Sequence, residues 1–506
     1  MKRNVLSLVL VLAVCLGLAV PAGAVGDIGT AGAGTTISAG DGFQGVIDEK
    51  GTLWMWGYNC FGQLGNGGGG DTTYYSTAHY FSREEDRTRP CQTTPVQVLE
   101  DVVSVSCGRY HAAAVKADGS LWTWGLNYAG QLGNGGEGNA VYEQPLPAPP
   151  GTKPATIPHP YQTVPTKVMD GIAAVSCGET HTAAVGTDGS LWIWGDNDHG
   201  QLGNGRSGNV GSRVGPLEEF SNVPIKVMED VSSVSCGAYA TAALKRDGSL
   251  WMWGDNAGGC LGLGSRGGVE TSPRKIMDGV AAVSCGQDIT MIVKTDGTVW
   301  SCGTGTLMGE LGTGASGGRS DRFVSIGTNA SSCDAFGAYV EKSGRLFTWG
   351  NNTYGALGLP YRGERLVSPN VGFLGYYMAL PSLVEGISDV AAVSRGSSNS
   401  LAVKTDGTVW VWSDNEEGQL GNGGQSDQKD AFGIRDIQSV PSQIRSLRAK
   451  LPGSAGPSAG TTAPVYSRAF SDVPPTAYYA DAVMWPEDHL RHVQDHILPR
   501  PHLYDG

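Results

Sequence analysis

Seven times along residues 35–445 the chain repeats one pattern: P-x-x-V, V-x-x-V-S-C-G, H-x-A-A-V, then D-G-S-L-W-x-W-G-x-N-x-x-G-Q-L-G. One copy reads DGSLWIWGDNDHGQLGNG, from Asp188 to Gly205. Tryptophan pairs mark five copies, at Trp54/Trp56, Trp122/Trp124, Trp192/Trp194, Trp251/Trp253 and Trp410/Trp412. Two degenerate copies hold Trp300/Cys302 and Phe347/Trp349. A fixed period of this length restricts the fold to stacked or radial repeats, because one unit cannot bury its own apolar face.

The runs inside each unit select strands. Val, Ala, Leu and Trp alternate over short stretches, and Asp-Gly separates H-x-A-A-V from L-W-x-W. Asp-Gly favours a two-residue hairpin turn, since glycine takes positive φ without steric cost. The two tryptophans of L-W-x-W are two residues apart and share one sheet face. A buried tryptophan removes roughly 150–250 Å² from water, about 4–6 kcal/mol before entropy at about 25 cal/mol per Å². These residues are therefore expected to pack neighbouring sheets. The expected fold is all-β: a seven-bladed β-propeller of four-stranded blades. The P-x-x-V strand precedes units two to five and seven, as at Pro95–Val98 and Pro165–Val168, and unit six has a ragged substitute near Phe323–Ile326. Unit one lacks it, while an orphan copy, VPSQI at Val440–Ile444, follows unit seven. This C-terminal strand is expected to complete the first blade and close the ring.

Composition narrows the setting. Glycine supplies 77 of 506 residues, about twice the usual share, with 40% hydrophobic residues, which indicates tight turns and not disorder. The net charge of −13 argues against nucleic acid or an anionic membrane as partner. Residues 1–24 carry Lys2 and Arg3, an apolar run and Ala22-Gly23-Ala24, the order of a secretory signal peptide with cleavage between Ala24 and Val25. The mature chain is expected to be secreted or held at a cell surface, and monomeric.

Nine cysteines follow the signal segment. Cys107, Cys177, Cys236 and Cys285 share the V-S-C-G frame, where other units hold Ala39, Ser332 and Arg395, so the position reads as small and buried, not as half of a disulfide. Cys60, Cys91, Cys260, Cys302 and Cys333 are scattered, and no Cys/His spacing suits zinc. His111 and His181 recur in the repeat, but their sister positions are Phe43, Ala240, Ile289, Phe336 and Asn399, which favours a structural role. GNGGGG at Gly65–Gly70 lacks the K-[ST] and helix of a phosphate cradle. No nucleophile elbow stands out. No catalytic residue, metal or cofactor is expected.

The extra length is informative. Insertions at Asn66–Thr94, Asn134–Val164, Asn204–Val223, Pro360–Leu380 and Asn422–Ser439 lie between G-Q-L-G and the next P-x-x-V, and are expected to emerge as loops on one face. They carry Tyr74, Tyr75, Tyr80, Phe81, Tyr142, Tyr161, Tyr361, Phe373, Tyr376 and Tyr377, candidates for partner binding.

The strand with H-x-A-A-V followed by W-G-x-N-x-x-G-Q-L-G resembles the regulator of chromosome condensation repeat. The resemblance covers about residues 35–445, and WGDNDHGQLGNG and WGLNYAGQLGNG match the pattern closely. It implies a seven-bladed propeller. The founding eukaryotic member is a nuclear exchange factor for a small GTPase, an activity that an exported acidic chain is not expected to share. Secreted bacterial members include protein inhibitors of β-lactamase, so the resemblance implies a non-enzymatic protein-binding disc. A carbohydrate-binding or carbohydrate-active disc face is the alternative.

Residues 446–469 read as a flexible Pro/Gly/Ser/Ala linker. Phe470–Trp485, FSDVPPTAYYADAVMW, resembles the start of an S-layer homology module, which in its family holds exported proteins to cell-wall polysaccharide. The pattern stops at Trp485. Residues 486–506 match nothing further, and a reading-frame slip near Pro486 is the expectation; wall binding then requires the module to be complete.

Overall fold

The computed structural model describes residues 36–75, 88–136, 138–145, 156–208, 219–305, 307–359, 363–368, 372–396, 399–425 and 437–451. The signal segment with Ala24 and Val25, the chain beyond 451 with its module-like stretch, and Tyr80, Phe81 and Tyr361 lie outside them.

Each repeat folds into one antiparallel sheet, and seven sheets follow one another along the chain. The third shows the plan: Ile172–Cys177, His181–Gly186, Leu191–Asp196 and Phe220–Met228, in that order from the inner to the outer edge. Ala184 lies opposite Trp192 and Thr182 opposite Trp194, so both tryptophans share a face, as period-two alternation requires. The inner strands contact one another in sequence, and the last, Val390–Arg395, touches the first, Ile37–Ala39. The result is a closed seven-bladed propeller, with no helix among the described residues.

The sequence frame was displaced by one strand. P-x-x-V does not open a blade; it supplies the outer strand of the blade before it. Thr88–Leu99 pairs with Leu53–Tyr58 of blade one, and Arg319–Gly327 with Val299–Thr304 of blade five. The C-terminal strand, Ile437–Arg448, pairs with Thr408–Asp414 and completes blade seven, not blade one. It also takes in residues 446–448, expected in the linker. Its Ile444 and Leu447 share a core cluster with Ile37, Val46 and Trp56 of blade one, and backbone bonding to blade one comes after the strand, where Ala449 bridges Asp48 and Lys450 N donates to Ile47 O at 2.8 Å.

Two rings of hydrogen bonds join the blades. The serine of V-S-C accepts from the next blade's backbone N–H: Cys107 N to Ser38 Oγ, Cys177 N to Ser106 and Cys236 N to Ser176 are each 2.9 Å. The series continues through Ser235 and Ser284 to Asp334, and Ala39 N donates to Ser394 Oγ at 3.0 Å to close it. The second ring uses the second tryptophan of each pair. Trp194 Nε1 donates to Gln131 O at 2.9 Å and Trp253 Nε1 to Gln201 O at 2.8 Å, each reaching the preceding blade's G-Q-L-G loop. These indoles are fully buried. Gly203 of that loop has φ 65°, and a Cβ there would stand 2.7 Å from Trp253 Nε1, so glycine is needed both for conformation and for space.

Blade six corrects the alignment of V-S-C. Its first turn is three residues shorter, and Ala335, not Ser332, occupies the cysteine position, with Ala335 N donating to Ser284 Oγ. In blade seven that position holds Arg395, buried, with Nη1 bonded to the carbonyls of Phe336 and Gly337 and Nε to Ser400 Oγ at 3.2 Å.

The Asp-Gly turns also differ from expectation. In blade two, Gly119 has φ 81° but Asp118 does not have positive φ; Lys116 N bonds Ser120 O and Gly119 N bonds Lys116 O. This is a three-residue loop, a turn followed by a left-handed glycine, not a two-residue one. Asp118 Oδ1 accepts from Ser120 N at 2.9 Å, and Ser120 Oγ accepts from Trp122 Nε1. The serine of D-G-S is thereby spent on the first tryptophan. In the outer strands Pro95, Pro165, Pro224, Pro273, Pro381 and Pro441 each fall within a register shift, so the exposed edge is interrupted where another chain could pair with it.

Candidate binding face

The order of strands decides which residues meet. The G-x-x-H turns between first and second strands, the loops after W-x-W, and all the insertions leave the sheets at one end. The Asp-Gly turns leave at the other.

Three insertions are not plain loops. Thr72–Tyr75 pairs with the start of Thr88–Leu99, Ala140–Pro145 with the start of Thr156–Met169, and Glu364–Ser368 with the start of Gly372–Leu383. Each adds a fifth strand to its blade. Tyr74, Tyr75, Tyr142, Tyr161, Phe373, Tyr376 and Tyr377 therefore sit in paired strands. Backbone groups of a long insertion must find partners, and an extended sheet supplies them. Tyr161 lies edge-on to Phe61 at 6.3 Å. Tyr377 is buried and its hydroxyl donates to Glu364 Oε2 at 2.8 Å, so it holds its hairpin together; Tyr376 is half-buried.

Nearer the axis, the same face carries residues that the sequence reading passed over. Tyr110 and Phe61 approach to 5.3 Å and Tyr58 and Tyr110 to 6.5 Å between ring centroids. Arg109 lies over the Tyr110 ring at 5.2 Å and pairs with Glu179 of the next blade. Thr180 Oγ1 donates to Asp196 Oδ2 at 2.9 Å. His199 stacks near Tyr239 at 4.4 Å, with Nδ1 3.3 Å from Asp255 Oδ2. Carboxylates gather in these turns and loop starts: Asp41, Glu179, Asp196, Asp198, Asp255, Asp288, Asp334, Asp414, Glu416 and Glu417. Arg109, His199 and the buried Arg395 lie among them. Burial raises the Asp196 carboxyl, with the Asp198 charge adding to it. Half-buried Glu417 is likewise raised, by desolvation first and by Asp41, Asp414 and Glu416 after it.

The opposite face has the reverse emphasis. All ten described lysines, among them Lys50, Lys116, Lys245, Lys294 and Lys404, lie at the Asp-Gly end, interleaved with acids. Lys294 Nζ covers Trp300 at 4.1 Å and Lys245 covers Trp251 at 5.3 Å. Lys116 and Lys404 likewise lie over Trp122 and Trp410, so four of the half-buried tryptophans are roofed by lysine stems, while Trp54 and Trp192 are half-buried without one. An open groove of about 660 Å³ on this face is lined by Lys50, Asp101, Val103, Asp406, Lys450 and Leu451, where the chain's last described residues meet blades one, two and seven.

His111 and His181 are fully buried within blade boundaries. His111 Nε2 lies 2.9 Å from Thr182 Oγ1, whose single proton is given to Gln131 O at 2.8 Å. The imidazole must therefore donate from Nε2. His181, Thr241 and Gln201 repeat the chain. Both Nδ1 atoms have no hydrogen-bond partner, and burial pushes both imidazoles down to about 3. No disulfide joins the nine described cysteines; burial holds Cys177 up to about 12 and Cys107 higher still, so these two are unreactive packing thiols. Among the described residues no group of three or more His, Cys, Asp or Glu side chains could hold a metal ion.

Comparison with known proteins agrees with this architecture. The model of the RCC1-like domain matches residues 146–461, and regulator of chromosome condensation (RCC1) repeats match at 50–115 and 102–131. The chain is 30% identical over 440 residues to the RCC1 domain-containing protein RUG3, mitochondrial, of Arabidopsis thaliana, covering 78% of this chain and 82% of the relative. It is 29% identical over 404 residues to the ultraviolet-B receptor UVR8 of the same plant, covering 79% and 69%. Human WBSCR16 superposes with a TM-score of 0.56 at 21% identity, over 78% of this chain and 94% of that one, a likeness of fold. The repeat, the closed seven-bladed ring and these matches together place the chain in the regulator of chromosome condensation repeat family.

Proposed function

We propose that this chain is an exported, non-enzymatic propeller that binds a protein partner on the face bearing the insertion hairpins. One observation carries the reading. The fixed letters of the repeat are consumed by the core and the two interblade rings, while the variable letters between them, such as Arg109-Tyr110, Glu179-Thr180 and Tyr128, converge on one face with the hairpins. A receptor among the relatives, the ultraviolet-B receptor UVR8, supports use of this disc for recognition. The buried state of the recurring histidines and cysteines supports a structural role for them. The N-terminal signal-like segment supports export, and Phe470–Trp485 supports descent from a wall-anchored protein.

The test is cross-linking of the mature chain to the surface and secreted proteins of its own cell, read by mass spectrometry. Cross-links on the hairpins 72–91, 140–161 and 364–377 are expected, with loss of capture when the 140–161 hairpin is replaced by a short turn. Cross-links confined to the lysine-bearing face, or saccharide-specific binding on a glycan array without a protein partner, would overturn the reading.

A further inference from the structure

We infer that the crevice between blades two and three on the hairpin face receives a lysine or arginine side chain of a protein partner, held by Glu179 and Asp196 beside the ring of Tyr128. The inference rests on the reading of that face as the partner-binding one and supplies its chemistry.

Glu179 is 5% exposed. One of its carboxylate oxygens pairs with Arg109, and the other, Oε2, is buried with no hydrogen-bond partner. A buried acceptor left unpaired is unfavourable and is relieved by any donor that can reach it. Arg109 is committed: it is tied to Glu179 and lies over Tyr110. Asp196 is also buried, and accepts from Thr180 Oγ1 and from Asp198 N at 2.9 Å each. Tyr128 is 37% exposed and meets the His159 ring edge-on at 5.2 Å; Asp196, Glu179 and Arg109 lie near enough for their charges to act on its hydroxyl. Two carboxylates against one guanidinium leave the crevice net negative, and an aromatic ring beside it adds a cation–π surface.

The required ligand is a cation with hydrogen-bond donors. A bare metal ion does not fit, since no group of three or more ligating side chains forms there. A segment of a protein fits better than an isolated amine, because the same chemistry continues around the ring mouth through Tyr110, Tyr58, Asp41 and Glu417. A run of lysines or arginines can meet several of these at once, and their long stems can lie on the rings.

The probe is a labelled oligolysine peptide, titrated into the full chain at low and at physiological salt, with oligoglutamate as control. Binding that weakens with salt is expected. The double variant Glu179→Gln/Asp196→Asn is expected to lose about tenfold or more in affinity, equivalent to about 1.4 kcal/mol, and Tyr128→Ala to lose less. The comparison is Asp170→Asn/Glu229→Gln, which removes the same two charges from exposed residues of the other face. Equal loss in both double variants means that oligolysine reads net charge alone, and overturns the site. So does parental affinity in Glu179→Gln/Asp196→Asn. Should that variant fail to fold, an unchanged affinity in Tyr128→Ala, where an exposed ring is removed, overturns it instead. Any of these results leaves hairpin-dependent capture of the native partner standing, so failure of the cation site and failure of the face are separable.

Discussion

Arg395 of blade seven donates from Nη1 to the carbonyl oxygen of Gly337 in blade six at 2.9 Å. All six sister positions hold cysteine or alanine in the ring interior; here a guanidinium stands, pulled down to about 9 by burial. The two departures compensate. Blade six has lost three residues of its first turn, and the arginine supplies donors to the carbonyls of Phe336 and Gly337 in the space they vacated.

Arg395→Cys therefore looks like a return to the repeat pattern and is expected to destabilise the protein. Stranding those carbonyls and opening a void should cost about 2–4 kcal/mol. Urea unfolding checks this; a variant as stable as the parent would show that the compensation is not energetic.

Ser176→Ala removes one member of the serine ring and leaves Cys236 N without its acceptor. A loss of about 1–2 kcal/mol is expected. Combining it with Ser38→Ala, two boundaries away, should add within about 0.5 kcal/mol, because the two sites share no partner. Thermal melts of the single and double variants decide it.

Glycines of the G-Q-L-G-N-G loops should respond unequally by position. Gly203→Ala meets positive φ and Trp253 together, whereas Gly135→Ala meets φ 87° with nothing within 4 Å of the new Cβ. The second should cost about 1 kcal/mol of backbone strain and the first at least about 2 kcal/mol, through displacement of the indole. Tryptophan fluorescence should shift for Gly203→Ala alone.

Acid should unfold the ring through its histidines. The folded-state values of His111 and His181 lie near 3, below the ordinary imidazole, so the unfolded chain binds protons that the folded one does not. Stability is full above about pH 6.5 and falls by up to about 1.4 kcal/mol per pH unit for each histidine as pH drops toward 3. The double variant His111→Asn/His181→Asn, using the residue found at Asn399, should flatten that slope. An unchanged slope between pH 6 and about 4 would place acid sensitivity in other groups.

Truncation after Asp436 removes the outer strand of blade seven together with the bridge from Ala449 to Asp48. A drop in melting temperature with aggregation is expected, from the freed edge of Thr408–Asp414. Ending the chain at Arg448 keeps the strand and loses only the backbone contacts of Ala449 and Lys450, and should be much milder. Equal effects of the two truncations would mean that the blade-one contact, not the strand, is what matters.

The repeat made the blades legible because each strand is short, alternating and bounded by glycine. What it hid was phase. A period read on a line has no origin, and P-x-x-V fits equally well before a unit or after one. The residues linking the blades held the answer: Asp101, Asp230, Asn329 and Asp389 take positive φ, with Gly171 and Gly279 at the equivalent links. Asp, Asn and Gly are the residues that tolerate that conformation. A lone Asp, Asn or Gly before V-x-x-V therefore marks the start of a blade. The face was half legible. Aromatic insertions marked the end of the disc at which they emerge, but Tyr110, Glu179 and Tyr128 sit at unremarkable variable positions, and only the ring brings them together from different repeats.

The boundary between blades seven and one is made by the same serine contact as five of the other six, with Ala39 N donating to Ser394 Oγ at 3.0 Å; the sixth uses Asp334 in place of serine. The serine ring does not register where the polypeptide starts. Any link between blades is then a candidate new terminus: a circular permutant opening at Val231, with the old ends joined by a flexible connector, should fold to the same disc, and its first blade would be the one now counted fourth.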